Sequence, residues 1–108
     1  MRPVVVTVTN TGVSAPIPLD NYISPFNVGM GAVVVSGSPT YTVQHSFDNP
    51  LADGYSAASA TWFNHPDLSS ETTNQDGNYA FPVAAVRMNV TGTGVVKFTV
   101  IQAGIVGG

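Results

Sequence analysis

Ala84-Ala85-Val86-Arg87-Met88-Asn89-Val90-Thr91-Gly92-Thr93-Gly94-Val95-Val96-Lys97-Phe98-Thr99-Val100 is the stretch whose reading sets the fold class. Ala84, Val86, Met88 and Val90 recur at every second position, and Val96, Phe98 and Val100 repeat the pattern beyond the glycines. Successive side chains of a strand point to opposite faces, so this period of two reads as half-buried β-strand and not as the stripe of a helix. If the two segments pair as a hairpin, their apolar positions share a face only when paired residue numbers sum to an even value. Pairing Val90 with Val96 meets that condition and leaves Gly92-Thr93-Gly94 in the connection, where glycine can take a left-handed conformation. The same register predicts Asn89 opposite Lys97 and Arg87 opposite Thr99 on the outer face, which gathers the positive charge on one hairpin.

Working outward, the alternation recurs. Val4, Val6 and Val8 interleave with Val5, Thr7 and Thr9, and the run stops at the turn-forming Asn10-Thr11-Gly12. Tyr41, Val43, His45 and Phe47 face one way and Thr42, Gln44 and Ser46 the other. Gly31 to Val35 and Ala60 to Asn64 read as further strands, and Ala15 to Leu19 as a short extended piece broken by Pro16 and Pro18. No long stretch keeps helical spacing free of Gly, Pro or β-branched clusters. Two polar connections, Asp48 to Ser59 and Asn64 to Asn78, join the strands. The expectation is an all-β chain with little or no helix: a single β-sandwich over residues 1–108, jelly-roll-like or immunoglobulin-like, of about seven to eight antiparallel strands.

Composition narrows the function. At 108 residues the chain suits one core, and with no cysteine it has no disulfide, zinc–thiolate or thiol nucleophile. Charged residues make up 8% of the chain and the net charge is −3. Arg2, Arg87 and Lys97 are its whole basic complement, too few to neutralise a phosphate backbone, so no nucleic-acid partner is expected. Unbroken apolar runs such as Val4 to Val6 and Gly31 to Val35 are far shorter than the roughly 20 residues a membrane-spanning helix needs, and no membrane partner is expected. No basic region followed by an apolar segment opens the chain, which argues against a secretory signal.

Chemistry-bearing residues are sparse. His45 and His65, near Asp48 and Asp67, are the residue types of a metal or proton-relay site, but their spacing matches no ligand motif. His45 lies on the apolar face of its strand and reads as a hydrogen-bonded structural histidine, and His65, before Pro66, as a turn or capping residue. Asp76-Gly77-Asn78 lacks the regular oxygen ligands of a calcium loop and reads as a turn. There is no nucleophile elbow and no pair of carboxylates suited to acid–base work. The expectation is a non-enzymatic protein with no catalytic residue, metal or cofactor. Adjacent Trp62 and Phe63 must point to opposite faces, so one is exposed or covered by a loop or partner. Met30, within Asn27-Val28-Gly29-Met30-Gly31, suits a turn or an inter-subunit contact.

Thr61-Trp62-Phe63-Asn64-His65-Pro66, Asn74-Gln75-Asp76-Gly77-Asn78-Tyr79-Ala80-Phe81-Pro82-Val83 and Arg87-Met88-Asn89-Val90 resemble a pattern of small tailed-bacteriophage virion proteins. Val96-Lys97-Phe98-Thr99-Val100-Ile101-Gln102-Ala103-Gly104 is similar to their C-terminal strand, and Tyr41-Thr42-Val43-Gln44-His45-Ser46-Phe47-Asp48 to an earlier one. The resemblance implies a β-sandwich that decorates or cements a capsid across capsomer boundaries, assembled in the bacterial cytoplasm into the virion. Its implied partners are the major capsid protein and copies of itself, as a dimer or trimer. Met1, Arg2, Val4, Val6, Met30, Trp62, Phe63, Ile105 and Val106 are the candidate assembly contacts, the chain ends acting as arms that add a strand to a neighbour's sheet. Two alternatives remain open: a tail or head-to-tail accessory protein, and a carbohydrate-binding module for host-surface glycans with Tyr55, Trp62 and Tyr79 as stacking rings.

Overall fold

A computed structural model of the chain describes residues 3–19, 27–48, 54–56, 59–80 and 83–103. These form nine strands: β1 (Val4–Thr9), β2 (Gly12–Val13), β3 (Ile17–Pro18), β4 (Asn27–Gly37), β5 (Thr40–Ser46), β6 (Phe63–Asn64), β7 (Gln75–Tyr79), β8 (Ala85–Thr91) and β9 (Gly94–Ala103). The first sheet has the order β1-β9-β4-β7; the second runs β2-β8-β5-β6, with β3 also on β8. Every pairing is antiparallel. The protein is a β-sandwich, as the alternation predicts, and no described helix is long and apolar enough to cross a membrane.

The hairpin expected from Val90 and Val96 does not form. β8 lies in the second sheet, against β5, β2 and β3, while β9 lies in the first, between β1 and β4. Gly92 and Thr93 carry the chain from one sheet to the other. Val86, Met88 and Val90 therefore point across the core toward the layer of Val96, Phe98 and Val100, and all six are fully buried. Hydrophobic burial of this kind is worth about 1.5–3 kcal/mol per large side chain. Arg87 is thus opposite Gln44, Asn89 opposite Val13 and Thr42, and Lys97 opposite Thr7 and Val33. The positive charge is divided between the sheets instead of collecting on one hairpin.

Two more connections cross between sheets at the same end: β1 to β2 through Asn10 and Thr11, and β4 to β5 through Ser38 and Pro39. The three corners are tied together. Asn10 N–H donates to the Gly94 carbonyl at 2.7 Å and its Oδ1 accepts from Gly94 N–H at 3.1 Å. Thr11 Oγ1 accepts from Gly92 N–H, and Ser38 N–H donates to the Thr93 carbonyl. Gly94 has φ 143°, and a Cβ there would run into the Ser36 carbonyl oxygen and the Gly37 Cα. Each short crossing stacks the two strands it joins, so β1, β9 and β4 lie over β2, β8 and β5.

Several boundaries differ from expectation. Gln75–Tyr79 is strand β7, paired with β4, so Asp76-Gly77-Asn78 is not a turn. The interval Asn64 to Asn78 is structured along the flank of β5, where Val43 N–H donates to the Leu68 carbonyl and Tyr41 and Glu71 exchange backbone bonds. Only Phe63–Asn64 of Ala60 to Asn64 is strand. β4 extends Gly31 to Val35 at both ends and carries a bulge at Val35, between Val34 and Ser36. Phe47 falls beyond the end of β5 and is exposed, although Tyr41, Val43 and His45 are buried as the alternation requires.

Candidate functional site

At the end of the core between β5, β6 and β7, both histidines are structural. The His45 Nδ1 meets the Tyr79 hydroxyl at 2.8 Å, and the two rings stand edge to face at 4.9 Å. His65 Nδ1 accepts from the Asp67 N–H at 3.1 Å, closing a turn, and its Nε2 donates to the Asn78 carbonyl at 2.9 Å. Burial first, and then the charge of His65, lowers the pKa of His45 below its ordinary value. Burial raises that of Tyr79 above the usual phenol range. Phe47 and Phe63 form the exposed rim of this cluster, with Phe63 stacked on His45 at 5.7 Å. Asp48 is occupied by the chain itself, its Oδ2 accepting from Thr61 N–H at 2.8 Å. Among the described residues no three His, Cys, Asp or Glu side chains converge as a metal site.

A polar array crosses the outer face of the second sheet. Asn64 Oδ1 accepts from Gln44 Nε2 at 3.0 Å, and Gln44 Oε1 accepts from Arg87 Nε at 2.9 Å. The Arg87 guanidinium lies 4.1 Å above the Trp62 ring, a cation–π contact. Burial lowers the pKa of Arg87, with Tyr55 nearby opposing the change. The Tyr55 hydroxyl is buried and has no hydrogen-bond partner among the described residues.

The outer face of the first sheet is different in kind. Val5 on β1, Ile101 on β9, and Val33 and Val35 on β4 are 53%, 47%, 38% and 59% exposed. Pairing sets Val5, Thr99 and Gly31 in one row, Thr7, Lys97 and Val33 in the next, and Ile101 beside Gly29. Gly29 and Gly31 leave the middle of β4 without side chains, so the face is flat there. A shallow depression of about 320 Å³ lies at its margin, lined by Gly31, Ala32, Val33, Asn74, Gln75 and Asp76.

These placements rearrange the residues singled out from sequence. Tyr79 is fully buried, and with no ring face in solvent it is no stacking platform. Met30 is a buried core residue facing inward, so it offers no contact to another subunit. Val4 and Val6 pack half-buried against the core, and the run they begin is no free arm but a strand of this chain's own sheet. Trp62 lies beside Arg87 on the second sheet and Phe63 is exposed on the rim, so the pair does split between faces. Tyr55 and Trp62 are both near Arg87. Met1, Arg2, Ile105 and Val106 lie outside the described residues. Sequence reasoning passed over the outward set Val5, Val33, Val35 and Ile101. Its signal was present, since valine occupies the outward as well as the inward positions of β1 and β4.

No family model matches the chain and no curated protein matches it. Its fold is similar to a chain of the solved structure described as "Bacillus endospore appendages form a novel family of disulfide-linked pili", at 14% identity and a TM-score of 0.49, over 96% of this chain and 86% of that one.

Proposed function

We propose that the domain is a non-enzymatic structural protein of a tailed-phage particle, which decorates or cements the capsid by binding across capsomer boundaries. The observation that carries the reading is the outer face of the first sheet, where Val5, Val33, Val35 and Ile101 are exposed around a flat glycine strip with Lys97 as the cation among them. Protein-binding surfaces combine apolar contact area with few charges at their centre, and such a face has most to gain from being covered. The resemblance of Tyr41 to Asp48, Thr61 to Pro66, Asn74 to Val83, Arg87 to Val90 and Val96 to Gly104 to small virion proteins supports the particle as its setting. A protein that binds the assembled shell and not its dissociated subunits stabilises the shell by mass action.

The test is to add purified protein to mature phage heads that lack it, then image the product by electron cryo-microscopy and measure heat release of DNA. Ordered density at repeated capsomer positions and a raised release temperature are expected, both reduced by Val33→Asp. Density confined to the portal or tail, or none, overturns the capsid assignment.

A further inference from the structure

A sandwich of two open sheets has four edges, and three of them here are closed to strand addition. The β2/β3 edge is interrupted by Pro16 and Pro18, which deny it backbone donors. Beyond the two-residue β6, the flank of β5 is occupied by His65, Leu68 and Glu71 through bonds to the backbone of Val43 and Tyr41. β7 is short and carries Asp76, with the Asn74 side chain accepting from Val34 N–H beside it. Short, charged or covered edges are the usual protection against unwanted pairing.

Among the described residues, β1 has none of these devices. Val4–Thr9 is six residues without charge, proline or bulge, and among the described residues it pairs with β9 alone. Asn10 N–H bonds to the Gly94 carbonyl in the register that also sets Val4, Val6 and Val8 against Val100, Phe98 and Val96. In an antiparallel ladder a residue directs its N–H and C=O to the same side, and the side alternates along the strand. The even-numbered residues therefore bond to β9, and the backbone groups of Val5, Thr7 and Thr9 point away from it, to the open edge.

We propose that this edge joins a second copy of the chain, with β1 antiparallel to its counterpart about a two-fold axis through Thr7. The occupant follows from symmetry and charge. An antiparallel strand presents the same pattern to itself under a two-fold axis, so one uncharged edge is its own complement. Centring on Thr7 pairs Val5 with the partner's Thr9 and Thr7 with the partner's Thr7, using all three free residues in about six hydrogen bonds. A centre nearer the N-terminus sets Pro3, which has no N–H, against one of them. Val6 then meets the partner's Val8, and Val8 the partner's Val6, across the seam on the inner side, extending each core into the other. The two Lys97 side chains, each one strand back from the seam, are about 14 Å apart by strand spacing, beyond the screening length of about 8–10 Å in physiological salt. The product is one continuous sheet, β7-β4-β9-β1 running into its two-fold copy, and it leaves the flat outer face available. This pairing does not depend on the particle assignment, because it is tested on the purified chain alone.

The test is sedimentation equilibrium from micromolar to millimolar concentration, followed by cross-linking. The wild type is expected to move from 11.2 kDa toward twice that mass. Thr7→Pro removes an edge donor and no β9 bond, and Thr7→Lys sets two cations face to face. Both are expected to remain monomeric, with the circular dichroism of the Thr7→Lys chain that of the wild type and its unfolding midpoint lowered only by the like charge of Lys97, which position 7 faces on β9. In this cysteine-free chain, Thr7→Cys is expected to give a disulfide-linked dimer under mild oxidation, since facing Cα atoms of a bonded pair are about 5.5 Å apart. Val33→Cys, five strand spacings or about 24 Å from the partner's position 33, is expected not to. A wild type monomeric throughout, a trimer, or a dimer undiminished in the folded Thr7→Lys chain overturns the proposal.

Discussion

Removing one oxygen atom from the core tests whether the buried histidine is held as the geometry indicates. Tyr79→Phe keeps a ring that is fully buried and stands edge to face with both His45 and His65 at 4.9 Å, and it deletes only the hydroxyl 2.8 Å from His45 Nδ1. A neutral hydrogen bond contributes about 1 kcal/mol net, and depriving a buried partner of it costs about 1–3 kcal/mol. The expected loss is about 2 kcal/mol, or roughly 10 °C in the melting temperature of a domain of this size. His45→Leu takes the other partner away and should cost a similar amount through the same hydrogen bond. The double variant removes both, so its loss should fall short of the sum by about 1–2 kcal/mol. Urea unfolding at pH 7.5 measures all four chains, with midpoints compared at constant m-value. Losses that add to within about 0.5 kcal/mol would refute the coupling and with it the role assigned to His45.

The same histidine makes stability depend on pH. Its pKa is lowered in the folded state, by burial first and by His65 second, so the unfolded chain binds more protons just below the ordinary value of 6.5. The urea midpoint should be flat above pH 7 and fall as the pH drops from 6.5 through the folded pKa; a midpoint constant from pH 7.5 to 5 contradicts this. Gly94→Ala forces a Cβ into the Ser36 carbonyl at φ 143° and should cost roughly 3 kcal/mol or more, read as lost soluble yield or a collapsed melting temperature. Arg87→Gln removes the cation 4.1 Å above the sole tryptophan, and should shift the fluorescence of Trp62 while costing no more than about 1–2 kcal/mol.

How far the sequence revealed the fold is clearest at Val90 and Val96. Alternation identified both strands and their inward residues Val86, Met88, Val90, Val96, Phe98 and Val100, because burial of one face is what selects a period of two, but not the buried Gln102 near the end of β9. It could not say whether the strands lie side by side or stack across the core, since a hairpin and a crossing bury the same residues. The glycines between them suit either connection, and only the neighbours that Gly94 touches, Asn10 and Ser36 to Gly37, from distant parts of the chain, decide it. Asp76-Gly77-Asn78 failed for the opposite reason. Its residues favour turns locally, but pairing with Gly31, Met30 and Gly29 draws them into β7. A Cβ at Gly77 would approach Leu68 Cδ1 to 2.8 Å, so the glycine there makes room for a core leucine and does not reverse the chain. The roles of His45 and His65 were legible from strand parity and the following proline. The candidate binding face was not, because exposed valines on β1 and β4 stand out only once the pairing gathers them.

The two outer faces are unequal in a way that bears on which of them meets a partner. On the second sheet, Asn64, Gln44 and Arg87 already satisfy one another, and Arg87 rests on Trp62. A ligand or protein bound there would have to replace those contacts one for one, at a gain near zero, because each internal hydrogen bond lost offsets one formed. On the first sheet, Val5, Val33, Val35 and Ile101 present apolar area worth about 25 cal/mol for each Å² covered, and among the described residues no side-chain hydrogen-bond network links them. The flatness conferred by Gly29 and Gly31 lowers the shape requirement on the opposing surface, and Lys97, with Asp76 and Asn78 at the β7 margin, supplies polar groups to fix its orientation. Affinity should therefore come from the first sheet, and Arg87→Gln should alter Trp62 fluorescence without altering attachment, whereas Val33→Asp should weaken attachment without altering the fluorescence.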